Sequence, residues 1–354
     1  MNRNMKLANQ ALFLHLEDYC KRRDVEIASS GNTRWVRFAG IEDGELLEAE
    51  RDFLQHLVVA STLRFGNHRS LSHLTKGDSS YIGLVGFDFE PNLPTQVTAI
   101  ELNAGIIVCL LSEVKPFPTE GPLQIKNIIE ASSREQDPDY RGHEGVEIAR
   151  LFPRIQVFTW QEAPDDESIW RMYLMACIEE CRQGGSWIDE ALAEELLTLT
   201  DLNVPHLPYY AICRSVFDAD PQSLFMALYR CIEATYAYES SRKLVEKLGL
   251  SVSWQEMAAA LEDSMGWRPQ ESSSLNLILQ YAVQKDLETV CDCLGVEVGN
   301  DLLASAGKAI YVLRNRIVHF RPGGRRVDVE SIDWNLLCGC LTGIVLSVFS
   351  RAYS

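Results

Sequence analysis

The run LLCGCLTGIVLSVF, residues 336–349, carries no charge and lies between Asp333 and Arg351. Its 14 residues fall short of the roughly 20 that a helix needs to cross a bilayer. A segment this apolar must therefore be covered by protein, either by other helices of its own chain or by a second copy. A C-terminal helical bundle is expected, with its last helix over about residues 332–351 and no membrane contact. The full chain has 354 residues, 46% hydrophobic and 23% charged, which is the balance of a folded globular protein with room for two domains.

The N-terminal stretch MNRNMKLANQALFLHLEDYCKRR interrupts its apolar positions with Gln10, His15, Glu17 and Asp18 and offers no cleavage site, unlike a signal peptide. Ten scattered cysteines without a disulfide framework fit a reducing compartment, so a cytoplasmic location is expected. The pairs Cys177/Cys181, Cys291/Cys293 and Cys338/Cys340 lack zinc-site spacing and a completing histidine, and read as buried structural thiols. Neither a metal nor a cofactor is expected. The formal net charge of -17 excludes a protein that coats nucleic acid through many phosphate contacts. It leaves room for one local cationic site.

Along the chain, apolar spacing predicts helices at 6–20 and at Glu45–Leu63, with a short strand at Arg34–Phe38. Strands are expected at Tyr81–Phe89, Gln96–Leu102, Gly105–Leu111 and Ile155–Trp160, the uncharged GIIVCLL run lying mid-sheet. Pro116–Arg154 reads as loop. His68, His73 and His143, with Asp78 and Glu144, fall in polar connectors and read as surface residues. The composition changes at Glu162–Ser168, which sets an α/β domain at 1–164 and an all-helical domain at 165–354. Clear helix starts follow: Asp220 before Pro221, and the capping box Ser253/Glu256 with a stop at Gly266. Weaker periodicity marks helices between about 274 and 294, and Leu302, Ala306, Ala309, Leu313 and Ile317 form a core stripe.

That stripe leads into YVLRNRIVHFRPGGRR, residues 311–326. From Lys308 to Arg326 there are six Lys or Arg and one His but no Asp or Glu. A helix end favours one or two cations near its carbonyls, so six exceed what the fold needs. Asn315 and His319 are four residues apart and share a helix face, where an amide can orient an imidazole. Arg314, five before the histidine, lies about 140° round a regular helix. It must reach back, or the helix must distort.

The order Arg314-Asn315-x-x-x-His319 resembles the signature of the HEPN ribonucleases, small helical domains that usually pair to cut RNA without a metal. The helix SLFMALYRCIEATY and the final apolar helix extend the resemblance, which includes the Apea-like defence group, to an expected HEPN-like core over about residues 220–354. It implies Arg314, Asn315 and His319 as catalytic residues, and Glu233 as a polar residue facing the site. Lys308, Arg316 and Arg321 are expected to bind substrate. It also implies a homodimer or higher homo-oligomer, single-stranded RNA loops such as those of transfer RNA as targets, and a role as toxin or anti-phage defence effector. Residues 1–164 carry no such resemblance. By analogy with multidomain defence proteins they are expected to regulate, sensing a regulatory protein or phage trigger.

RNA supplies its own nucleophile, the 2′-hydroxyl, so the enzyme must move protons and stabilise the phosphate. His319 suits the first task and Arg314 the second. Two further readings stay open. One is a HEPN module that binds RNA or a nucleotide without cutting it; the other is an interaction protein whose basic helix end docks on an acidic partner.

Overall fold

The computed structural model describes residues 3–28, 34–38, 44–88, 96–131, 139–161, 164–202, 207–319 and 328–353. The chain divides into two compact units, Met1–Ile169 and Trp170–Ser354. The first is α+β with an antiparallel sheet, and the second is helical among its described residues.

In the first unit the order is α1 (Met5–Lys21), β1 (Val36–Arg37), α2 (Gly44–His56), β2 (Val58–Phe65), β3 (Arg69–Lys76), β4 (Ser79–Val85), β5 (Val97–Ile100), α3 (Ala104–Val114), α4 (Pro122–Glu130), β6 (His143–Glu144), α5 (Gly145–Ala149) and β7 (Ile155–Trp160). The sheet runs β2-β3-β4-β7-β5, with Leu71 opposite Leu84 and Val85 opposite Ile155. A separate parallel pair, β1-β6, sets Val36 against His143.

The buried GIIVCLL run is a helix, α3, and not the expected strand. Asn103 accepts the N–H of Ile106 at 2.9 Å and the Glu50 carboxylate accepts that of Ala104 at 3.1 Å, so side chains satisfy two of the donors a helix start leaves open. Residues 104 to 112 are all buried. A helix covered on every side shows no periodicity, and a short apolar run then reads equally as strand or helix.

The helix expected over Glu45–Leu63 stops at His56, and its last part is β2. There Val58, Val59 and Thr62 are β-branched and suit a pleated ladder better than a helix. The polar-looking stretch around His73 is β3, an inner strand with buried Leu71 and Leu74. Within Pro116–Arg154, read as loop, lie α4 and α5.

His143 is not a surface residue. It is 5% exposed, its ring centroid stands 5.4 Å from that of Phe13, and Nε2 has no hydrogen-bond partner among the described residues. Burial, reinforced by nearby Arg34, holds its imidazole down at about 4. The unfolded chain, with the ordinary value near 6.5, therefore takes up a proton that the folded chain refuses. Stability from this residue is fully present above about pH 6.5 and is lost as pH falls through about 4, a change of up to about 3 kcal/mol. In His143→Phe, acid unfolding followed by amide exchange at β1 and β6 should lose that part of its pH slope relative to wild type. An unchanged slope would mean that the histidine folds already protonated.

The second unit contains α6, which begins in the first (Asp166–Glu180), then α7 (Glu190–Thr198), α8 (Tyr209–Val216), α9 (Pro221–Glu233), α10 (Tyr238–Leu248), α11 (Trp254–Met265), α12 (Glu271–Leu279), α13 (Gln284–Cys293), α14 (Leu302–Val318) and α15 (Trp334–Ala352). The caps sit where expected: Asp220 opens α9, the Ser253/Glu256 box opens α11, and Gly266 closes it at φ 64°. By length and composition α15 is apolar enough to cross a membrane. In the folded chain it packs against α7, α9 and α13, burying Leu337, Leu341, Ile344, Val345, Val348 and Phe349.

Candidate active site

Three helices of the second unit converge on Arg314. Helix α9 starts rigidly, because Pro221 presets the backbone and the Asp220 side chain accepts the N–H of Gln222 at 3.0 Å. Its buried face, Leu224, Phe225, Leu228, Cys231 and Ile232, fixes its rotation, so Tyr229 and Glu233, four apart, look toward α14. Helix α14 buries Ala306, Gly307, Ala309, Ile310 and Leu313. At Gly307 it crosses α12 so closely that a Cβ would stand 2.1 Å from the Asn276 side-chain oxygen. That crossing brings Glu271, at the start of α12, to the same guanidinium.

Arg314 Nη1 donates to Asn315 Oδ1 at 2.9 Å. Its Nη2 donates to Glu233 Oε1 and Glu271 Oε1, both at 3.4 Å. The guanidinium carbon lies 5.7 Å from the centroid of the Tyr229 ring, and the Tyr236 hydroxyl donates to the Tyr229 hydroxyl at 2.9 Å. Arg314 Nε is buried without a hydrogen-bond partner among the described residues. Burial pushes the Glu233 carboxyl above its ordinary range, with Arg314 opposing the rise and Glu271 adding to it. Burial likewise raises the Tyr229 and Tyr236 phenols.

His319 is the residue at which α14 ends: its φ of -104° and ψ of 106° leave the helix, while its N–H still donates to the Asn315 carbonyl at 3.0 Å. The helix thus stops at Val318. Pro322, Gly323 and Gly324, expected to terminate it, lie outside the described residues, as does Arg321. The His319 side chain is exposed and has no hydrogen-bond partner among the described residues.

The structure brings together Arg314, Asn315 and Glu233. Asn315 Oδ1 bonds to Arg314 and not to the imidazole, and Arg314 turns toward α9 and α12. Lys308 and Arg316 stand exposed on α14, outside this contact. Sequence reasoning missed Tyr229, Tyr236 and Glu271. The four-residue step from Tyr229 to Glu233 was a usable signal for the first; for Glu271, placed by the α12–α14 crossing, there was none.

All ten cysteines are free, and no three His, Cys, Asp or Glu side chains converge as a metal site among the described residues. Compared with known proteins, the chain matches no protein-family model, no curated protein and no solved structure at a significant level.

Proposed function

We propose that the chain is a metal-independent RNA endonuclease of HEPN type, a toxin or anti-phage effector whose HEPN-like core spans about residues 220–354. One observation carries this reading: Arg314 and Asn315 are bonded to each other, Arg314 is tied to Glu233, and the exposed imidazole of His319, without a hydrogen-bond partner among the described residues, follows within about one turn. In the proposed reaction the 2′-oxygen of RNA attacks the adjacent phosphorus and the bond from phosphorus to the 5′-oxygen breaks. One proton leaves the 2′-hydroxyl and another reaches the departing 5′-oxygen, giving a 2′,3′-cyclic phosphate and a 5′-hydroxyl. His319 takes one of these proton transfers. Arg314 balances charge on the phosphate, and Asn315 holds its guanidinium. Arg316, Arg321 and Lys308 steer the strand.

The signature offers one imidazole per chain for two proton transfers, so the reading places two chains face to face in a homodimer. The N-terminal unit would then answer a phage or cellular trigger. A second reading takes Arg314 as an interhelix tie in a module that binds RNA, a nucleotide or a protein without cutting. Its two carboxylate contacts favour that alternative.

Cleavage of RNA by the purified chain in EDTA, with mapping of the ends, separates the two. The first reading expects 2′,3′-cyclic phosphate ends and no cut where the 2′-hydroxyl of the cleaved nucleotide is replaced by hydrogen. Binding without cleavage would select the second. Cleavage that requires added Mg²⁺ would overturn the proposed chemistry.

A further inference from the structure

We propose that Glu271 is a displaceable stopper on Arg314, occupying the position that an RNA phosphate takes when substrate binds. The proposal rests on Arg314 as the phosphate-binding residue. Arg314 is the only cation that the described ion pairs place against both Glu233 and Glu271; Arg230 offsets part of the Glu233 charge, and the guanidinium already carries two carboxylates before substrate arrives. Both contacts are 3.4 Å, longer than the roughly 2.7–2.9 Å of a well-made charged bond. The guanidinium shares one nitrogen between two carboxylates, and its buried Nε has no hydrogen-bond partner among the described residues.

The two carboxylates are not equally free to leave. Glu233 closes α9, where the buried side chains of Tyr229 and Ile232 hold its backbone, and its side chain is 29% exposed. Glu271 stands in the first turn of α12 with 41% of its side chain exposed, and among the described residues Arg314 is its one hydrogen-bond partner. Rotating Glu271 outward costs one long contact and returns a carboxylate to water. An incoming phosphate then meets the Nη2 that Glu271 has released, on a guanidinium that Asn315 holds through Nη1, with Glu233 as the remaining carboxylate contact. Glu271 thereby sets the affinity for RNA and keeps weakly bound polyanions out of the site.

The experiment measures binding of an uncleavable single-stranded 2′-O-methyl RNA to the full chain in low salt. Removing one like charge about 5 Å from a phosphate, with water screening the pair once Glu271 has swung out, is worth about fourfold in affinity. Glu271→Gln should therefore bind about fourfold more tightly than wild type, and Glu271→Lys more tightly still. Both gains should shrink as salt is raised. Asp263→Asn, which removes an exposed charge from α11, should show no comparable gain and controls for net charge. If Arg314→Ala weakens binding while Glu271→Gln leaves it unchanged or weaker, the stopper is refuted and the ribonuclease reading stands. If neither wild type nor any variant binds or cuts RNA, both fall.

Discussion

On the proposed ribonuclease mechanism, His319→Ala should lower the rate of RNA cleavage by about 10²–10⁴-fold, the contribution of a positioned acid or base, while leaving the fold intact. The side chain is exposed and makes no hydrogen bond among the described residues, so its removal should change stability by no more than about 0.5 kcal/mol. Loss of activity therefore cannot be assigned to unfolding, provided the thermal midpoint is measured on the same preparation. Arg314→Lys should also remain badly impaired. A lysine keeps the charge but lacks the planar fork that lets Arg314 bond to Asn315 and reach the carboxylates together. A folded His319→Ala protein that cuts RNA at the wild-type rate would remove the imidazole from the mechanism and the main support for the signature.

The largest loss of stability is expected from Gly105→Ala. Helices α2 and α3 cross so closely there that a Cβ on Gly105 would stand 2.0 Å from the Glu50 carbonyl oxygen and 3.1 Å from the Leu54 nitrogen. Both are backbone atoms, so no side chain can swing away. The helices must separate, disturbing a core that includes Leu54, Ile106, Cys109 and Leu110. The same movement would draw the Glu50 carboxylate away from the Ala104 N–H that it caps at 3.1 Å. Overpacking of this kind costs about 3 kcal/mol, and the lost cap about 1 kcal/mol more. Gly44→Ala is the control, since a Cβ there meets nothing within 4 Å. Thermal unfolding of the two variants should therefore diverge, with Gly105→Ala melting lower. Equal midpoints would show that α2 and α3 can part at little cost.

Sequence by itself determined what local chemistry can specify. Asp220 with Pro221, Ser253 with Glu256, and Gly266 act within a turn of themselves, and each helix end appears where those residues place it. The apolar run of α15 required cover wherever it landed, and eight of its 14 residues are buried, while Leu336 stays exposed. At the candidate site the basic run from Lys308 to Arg326 and the resemblance to the HEPN signature singled out Arg314, Asn315 and His319, and Glu233 was named by that resemblance alone.

What only the tertiary structure decided depended on partners distant in the chain. GIIVCLL becomes a helix because Glu50, 54 residues before Ala104, adds a second cap to the local one from Asn103 and because protein surrounds it. His143 is held neutral because Phe13 and Arg34, more than a hundred residues away, exclude water and add positive charge. Arg314 faces Glu271 because α14 packs against α12. Spacing along a chain records which side chains share a face of one helix; it holds no record of which second helix that face will meet, and at Arg314 that meeting decides which carboxylates the guanidinium contacts.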